Sequence, residues 1–414
     1  MSAVSTDTLT EIGAGAKLAG APWLDARREA ALTAYRAKGV PHRRVEDWKY
    51  SDLRAVLQAE AAAPGVTAAN PFAGIRGTRL DMRDGKLATT LSGMPKTVEA
   101  FDLSNLATAP DWVQAHLGRT GKDGMAAASL ALMAGGVALR VRSGITVEEP
   151  VHLNFVSEAA HHGRVLIVLE DGAALTLLES HANSASLANF GAEIVLGEKA
   201  SLMHIRLAQS AAEAVQVSDV AVAQAGGSTY RGHFTDLGAR LSRLELAIAL
   251  TGARAEANLS GVQVLSDGRH ADVTTRLDHA VGDTQSVQLF KHVAGGKSRA
   301  IYQGRITVKE GAGGTDSRQT AKALLLDDRA EADLKPELII FADDVKCAHG
   351  AAVGDLDADS LFYLRARGIP EAEARGMLMR AFLEDAVSGI ENDAIRASVW
   401  NVVETALVHA GAAA

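Results

Sequence analysis

The sequence predicts a mainly β fold, a β-solenoid core flanked by α-helical N- and C-terminal regions. Three observations lead there. Glycine-led turns recur, with the first Gly at positions 172, 197, 226 and 252, in steps of 25, 29 and 26 residues. Between them lie short apolar or alternating runs, such as Val165 to Leu169, Leu175 to Leu178, Ile194 to Leu196, Val217 to Val222 and Leu244 to Leu250. The composition agrees: of 414 residues 47% are hydrophobic but only 4% aromatic, with 39 Gly and 9 Pro. A strand-rich repeat of this length means stacked coils. Layers of Val, Ile, Leu and Ala that stack on themselves need few large rings. The rival is an antiparallel sandwich; the near-constant period favours the coil.

The elements follow in order. Residues 1–100 read as a helical N-terminal region with a linker. Pro22 opens a helix that runs through Lys38, with Leu24, Leu32 and Tyr35 available to one face, and Gly39 stops it. Ala61 to Asn70, rich in Ala, Gly and Pro, reads as the linker. Residues 101–356 hold the coil core, with strands evident from Val137-Ala138-Leu139-Arg140-Val141 onward. Residues 357–414 form a C-terminal helical domain. Leu361 to Leu364 start one helix, closed by Gly368; Pro370 with Glu371 and Glu373 suits a first turn. Leu378/Phe382 and Met379/Leu383 pair at i, i+4, and Ile395, Val399, Val402, Val403 and Leu407 form a stripe on a third helix. Helices attached to a solenoid end are expected to cap it, bind a partner, or both.

Charge and cysteine usage narrow the function. A net charge of −8 argues against nucleic-acid or anionic-membrane binding, which needs a basic face. The single cysteine, Cys347, permits no internal disulfide and no self-contained Cys-based metal site. The first fifteen residues lack a basic and an apolar signal region. The longest uncharged stretch, Gly124 to Leu139, is 16 residues, too short to span a bilayer. The expectation is a soluble protein of a reducing compartment.

Common enzyme signatures are missing. Gly295-Gly296-Lys297-Ser298 resembles the end of a phosphate-binding loop, but Lys291 stands where its first glycine belongs, so it reads as a turn. His161-His162 reads as a polar turn, because neighbours on a strand face opposite ways. His270, His279 and His292 recur through later strands, yet no spacing rule brings them together. Asp267, Asp272, Asp278 and Asp283 would suit a carbohydrate-active β-helix enzyme with a carboxylate groove. They equally suit tight turns, which tolerate Asp.

The densest constellation is Phe341-Ala342-Asp343-Asp344-Val345-Lys346-Cys347-Ala348-His349-Gly350-Ala351. On a strand, Cys347 and His349 at i, i+2 share a face. Thiolate and imidazole both suit iron or zinc, and Lys346 beside the thiol would favour the thiolate. Two ligands do not complete a stable site, so any metal is shared with another chain or transient. A small buried Cys beside a hydrogen-bonded His is the structural alternative.

Three segments resemble the SufB/SufD family of iron–sulfur cluster assembly proteins. Glu46-Asp47-Trp48-Lys49-Tyr50-Ser51-Asp52-Leu53 is similar to its E-x-W-K-Y-T/S-x-L element. Lys335-Pro336-Glu337-Leu338, continuing to Ala342 through Ala351, is similar to K-P-x-L…A-D-D-V-x-C-x-H-G-A, and Leu361 to Ile369 to L-F-Y-L-x-S/A-R-G-I. The resemblance spans essentially the whole chain and favours the SufD branch, since the additional cysteines of the SufB branch are missing. It implies a right-handed parallel β-helix and a cytoplasmic, non-catalytic scaffold subunit. It also implies a SufB-like partner at the last coils and a SufC-like ATPase, the source of ATP hydrolysis, on the C-terminal helices. His349 matches the family histidine exposed for a transient iron–sulfur cluster shared with the SufB-like subunit, and Cys347 its neighbouring cysteine. A purely structural subunit without metal contact is the alternative, and in isolation the open sheet edge allows a homodimer.

Overall fold

The computed structural model describes residues 21–59, 68–119 and 124–412. From Gly136–Val141 to Val345–Gly354, successive strands alternate between two parallel sheets, so each strand pairs with the one two places away. One sheet has ten strands, the other nine, and together they wind about 8 turns of a β-solenoid. The two inner faces enclose one apolar core, with Leu177, Leu202, Val220, Leu246, Leu259 and Phe290 among its members.

The corners explain the glycine pattern. Gly144, Gly172, Lys199, Gly227, Arg254, Asp283 and Gly314 stack on one corner, all with φ between 55° and 74°. Each donates its N–H to the next coil, as from Gly172 to Glu198 O at 2.7 Å and from Lys199 to Gly226 O at 2.9 Å. The left-handed position, not the first glycine, keeps the repeat. Lys199, Arg254 and Asp283 occupy it in three coils, so glycines alone do not mark every coil. Asp267, φ 56°, sits in another such turn.

The solenoid begins ahead of residue 101. Thr78–Arg83 pairs in parallel with Val151–Ser157, because Leu80 and Met82 alternate inward into the core. Two antiparallel pairings close this end: Lys86–Leu87 folds back on Met82 and Arg83, and Val98–Asp102 lies against Gly136–Val141. Most of the segment read as a linker, residues 60–67, lies outside the described residues, as does the N-terminal stretch 1–20.

The helix Pro22–Lys38 ends on Gly39 at φ 67°. It packs with the helix Gly124–Ala131 over the outer face of the nine-stranded sheet, on Leu166, Val168, Val217 and Leu241. After the helix Ala358–Ala366, capped by Asp357, the helices Glu371–Val387 and Asp393–Ala412 cover the outer face of the ten-stranded sheet, on Ile205, Leu207, Val262, Val264 and Val293. The appended helices therefore lie flat on the sheets rather than across the solenoid ends. The reason is that many strands are apolar on both faces, as buried parallel strands are, and each outer face needs cover.

Candidate functional site

The last coil leaves both sheets unfinished. Among the described residues, Glu331–Ile340 pairs only with Arg299–Val308, and Val345–Gly354 only with Thr315–Leu325. Their outer edges carry unpaired backbone groups, a template for another strand. Ile339, Ile340, Phe341 and Val353 are exposed beside them, Phe341 by 64%.

Cys347 and His349 lie on this edge strand, opposite Ser317 and Gln319 of the preceding coil. Val345 and Cys347 are half-buried against the solenoid core. Two residues on, His349 is on the same face and exposed. Behind them the interior is polar. Ser317 Oγ is 2.6 Å from Ser286 Oγ, which is 3.0 Å from His279 Nε2. Gln319 is buried with neither amide atom hydrogen-bonded. The coil that ends in the Cys-x-His pair thus rests on buried polar side chains as well as on the apolar core.

The expected help from Lys346 is not there. Lys346 is one residue from Cys347 and so faces the other way. Burial, with the charge of Asp316, raises the thiol's pKa; a hydrogen bond from the Ser317 backbone only partly opposes this. Burial and Asp316 therefore favour the thiol form of Cys347, while the imidazole of His349 is exposed. Among the described residues no group of three or more His, Cys, Asp or Glu is arranged to hold a metal ion.

The other histidines do not converge. His161 and His162 begin a strand instead of forming a turn, and both are buried. His161 packs edge-on against Phe190, while His162 Nδ1 is 2.9 Å from Asn189. His270 lies on an outer face beside Ser51, whereas His279 bonds Thr284 and His292 bonds Gln263. The aspartates scatter likewise: Asp267 and Asp283 hold left-handed turns, Asp272 is buried in an ion pair, and Asp278 faces Lys309. They line no common groove. Gly295–Ser298 is a turn between two strands, with Gly296 at φ 63°.

The segment Glu46 to Ser51, which sequence reasoning left without a role, is a clamp. The guanidinium of Arg243, fully buried on the nine-stranded sheet, lies 4.1 Å from the Trp48 ring centre. It bonds Glu245 at 2.9 Å and the Asp47 carbonyl at 2.6 Å, and pairs with Asp272. Ser51 Oγ donates to Asp272 at 2.6 Å. Arg276 reaches the Asp47 carboxylate at 2.9 Å, and Lys335 reaches Glu46 at 2.7 Å. Gln303 Nε2 also donates to the Asp47 carbonyl at 3.2 Å, so one short stretch ties down four neighbouring strands of the nine-stranded sheet, including the unfinished last one. The mixture of Trp, acids and Ser in six residues was the available signal.

On the C-terminal side, Phe362 and Tyr363 are exposed, by 75% and 56%. The following helices are committed to the sheet: Lys291 Nζ pairs with Asp385 and lies 4.7 Å from the Phe382 ring centre. No helix among the described residues is long and apolar enough to cross a membrane.

Comparison with known proteins adds the family. The model of the SufBD core domain of the SUF iron–sulfur cluster assembly system matches residues 153–382, and that of the SufBD N-terminal region matches residues 14–64. An iron–sulfur cluster assembly SufBD family protein of Synechocystis sp. is 28% identical over 387 residues, 86% of this chain and 85% of that protein. The iron–sulfur cluster assembly protein SufD of Escherichia coli is 28% identical over 386 residues, 87% and 88% of the two chains. SufD of Bacillus subtilis is 27% identical over 296 residues, 66% of this chain and 64% of that one.

Proposed function

Because the chain belongs to the SufB/SufD family of iron–sulfur cluster assembly proteins, we propose that it is a SufD-like, non-catalytic scaffold subunit. Its last coil pairs with a SufB-like subunit, and His349 contributes to the interface where a nascent cluster forms. One observation carries this reading. A Cys-x-His pair stands on an unpaired strand edge, with His349 exposed and Cys347 half-buried. An edge of that kind is completed by a partner strand, and a partner that brings ligands completes the metal site in the same step. Ligation by one imidazole from this side also suits a cluster that must be handed on, since the cluster is cargo and not a resident group.

The C-terminal helices are the proposed contact for a SufC-like ATPase, through the exposed Phe362 and Tyr363 on the helix Ala358–Ala366. The chain has no phosphate-binding loop of its own, so ATP hydrolysis falls to that partner.

The test is co-expression with SufB- and SufC-like proteins and anaerobic absorption spectroscopy of the purified complex. With His349→Ala the three proteins still co-purify, but the cluster absorbance after reconstitution falls. Full reconstitution by an intact mutant complex rejects the role of His349 and leaves a purely structural subunit.

A further inference from the structure

A cavity of about 510 Å³ lies between the clamp segment and the outer face of the nine-stranded sheet. This is within the usual size of a small-molecule site, roughly 300–1,000 Å³. Its apolar wall includes Val45, Trp48 and Met125, and its polar floor holds Asp219, Glu245 and Arg276. The floor is unevenly satisfied. Glu245 has two guanidinium partners, Arg243 at 2.9 Å and Arg276 at 3.4 Å. Asp47, at the rim, is 2.9 Å from Arg276. Asp219 has no hydrogen bond or ion pair to any described residue, although only 9% of it is exposed.

The sheet register explains the gap. On one side Asp219 lies opposite Glu245, a like charge, and on the other opposite Gly191, which has no side chain to offer. Neither neighbour bonds it: the Arg164 guanidinium fills the space over Gly191, and with Arg276 it acts on Asp219 only through space, while the cavity opens over the carboxyl. Burial, then the charge of Glu245, pushes the Asp219 carboxyl up to about 7, against the opposing charges of Arg164 and Arg276. A buried carboxyl without a partner is costly. A like charge alongside disfavours its ionised form, and an opposite charge brought within reach favours it.

We propose that this cavity binds a small organic cation, its ammonium or amidinium head against Asp219 and Glu245 and a ring-sized apolar body against Val45, Trp48 and Met125. The site is separate from the edge carrying His349 and does not depend on the cluster-assembly reading.

Benzylamine is the probe, with benzyl alcohol as its neutral analogue and benzoate as the anion, titrated calorimetrically into the full chain near pH 8. Benzylamine binds at least ~10-fold tighter than benzyl alcohol, as a charge-assisted bond requires. Asp219→Asn removes that preference. Ala247→Leu, which fills the cavity and leaves Asp219 in place, weakens both ligands by roughly tenfold or more. Circular dichroism confirms that each variant is folded. Equal binding of benzylamine and benzyl alcohol, tighter binding of benzoate, an unchanged preference in Asp219→Asn, or no benzylamine binding up to ~10 mM each overturns the proposal.

Discussion

Replacing Arg243 by Ala tests how the N-terminal clamp is held. Arg243 is fully buried, yet its charge is met on every side: by Asp272, by Glu245 at 2.9 Å, by the Asp47 carbonyl at 2.6 Å and by the Trp48 face. Burial alone would lower its pKa, but Asp272 and Glu245 outweigh that and raise it. Removing the guanidinium strands the Asp272 carboxylate, itself fully buried, with only hydroxyl donors from Ser51 and Thr274. Breaking one partner out of a buried pair costs about 3–5 kcal/mol. The Trp48 stack is worth up to ~2 kcal/mol when desolvated, but it belongs to the same network and does not simply add. Guanidinium chloride unfolding, followed by circular dichroism, should therefore lose about 3–5 kcal/mol, and Trp emission should shift to the red as Trp48 is exposed. Adding Asp272→Asn should recover part of the loss, because it removes the stranded charge. A loss below ~1 kcal/mol, or strict additivity of the two substitutions, would show that this contact is a peripheral ion pair and refute the clamp.

Three other outcomes are expected. Asp219 keeps its proton in the folded chain up to about pH 7, against an ordinary value of 3.8 when unfolded. Its contribution to stability therefore declines as pH rises from about 4 to about 7, by roughly 4 kcal/mol at most. The stability difference between Asp219→Asn and the parent protein should grow in the variant's favour across that window, and a flat difference contradicts the assignment. Gly252→Ala would put a Cβ 2.2 Å from the Gly226 backbone nitrogen on the stacked corner. It should cost about 1–3 kcal/mol in denaturant melts, and an unchanged midpoint would mean that the corner is slack. Phe362→Ser with Tyr363→Ser should abolish co-purification of a SufC-like ATPase while the SufB-like contact survives; retention of the ATPase moves its contact elsewhere. Surface substitution is preferable to deletion, which would strip the cover from Ile205, Leu207 and Val262.

Local pattern made much of this readable. The helix from Pro22 to Lys38 shows its start and its glycine stop, and the strands show their turns. The i, i+2 spacing alone places Cys347 and His349 on one strand face. What stayed hidden depends on contacts distant along the chain. Trp48 meets Arg243 across nearly two hundred positions, and nothing in the spacing of either announces the other. The helices lie on the sheet faces because Val262 and Val264 face outward, and alternation in a doubly buried strand is weak. Thr78–Arg83 was missed because a single short strand before the repeat has no coil of its own to mark the period. Cys347 misled through its neighbour: adjacency in sequence placed Lys346 near the thiol, while the pleat turned it away.

The two ends of the solenoid are not equivalent, and this limits what the chain can build. At the start, antiparallel strands terminate both ladders. At the finish, both ladders stop on open parallel strands. A stacked-coil protein open at both ends would add copies without limit, as filaments do. Among the described residues, only the finish offers edges that continue the parallel ladders. A neighbour that adds strands in parallel register would therefore extend the stack from the last coil.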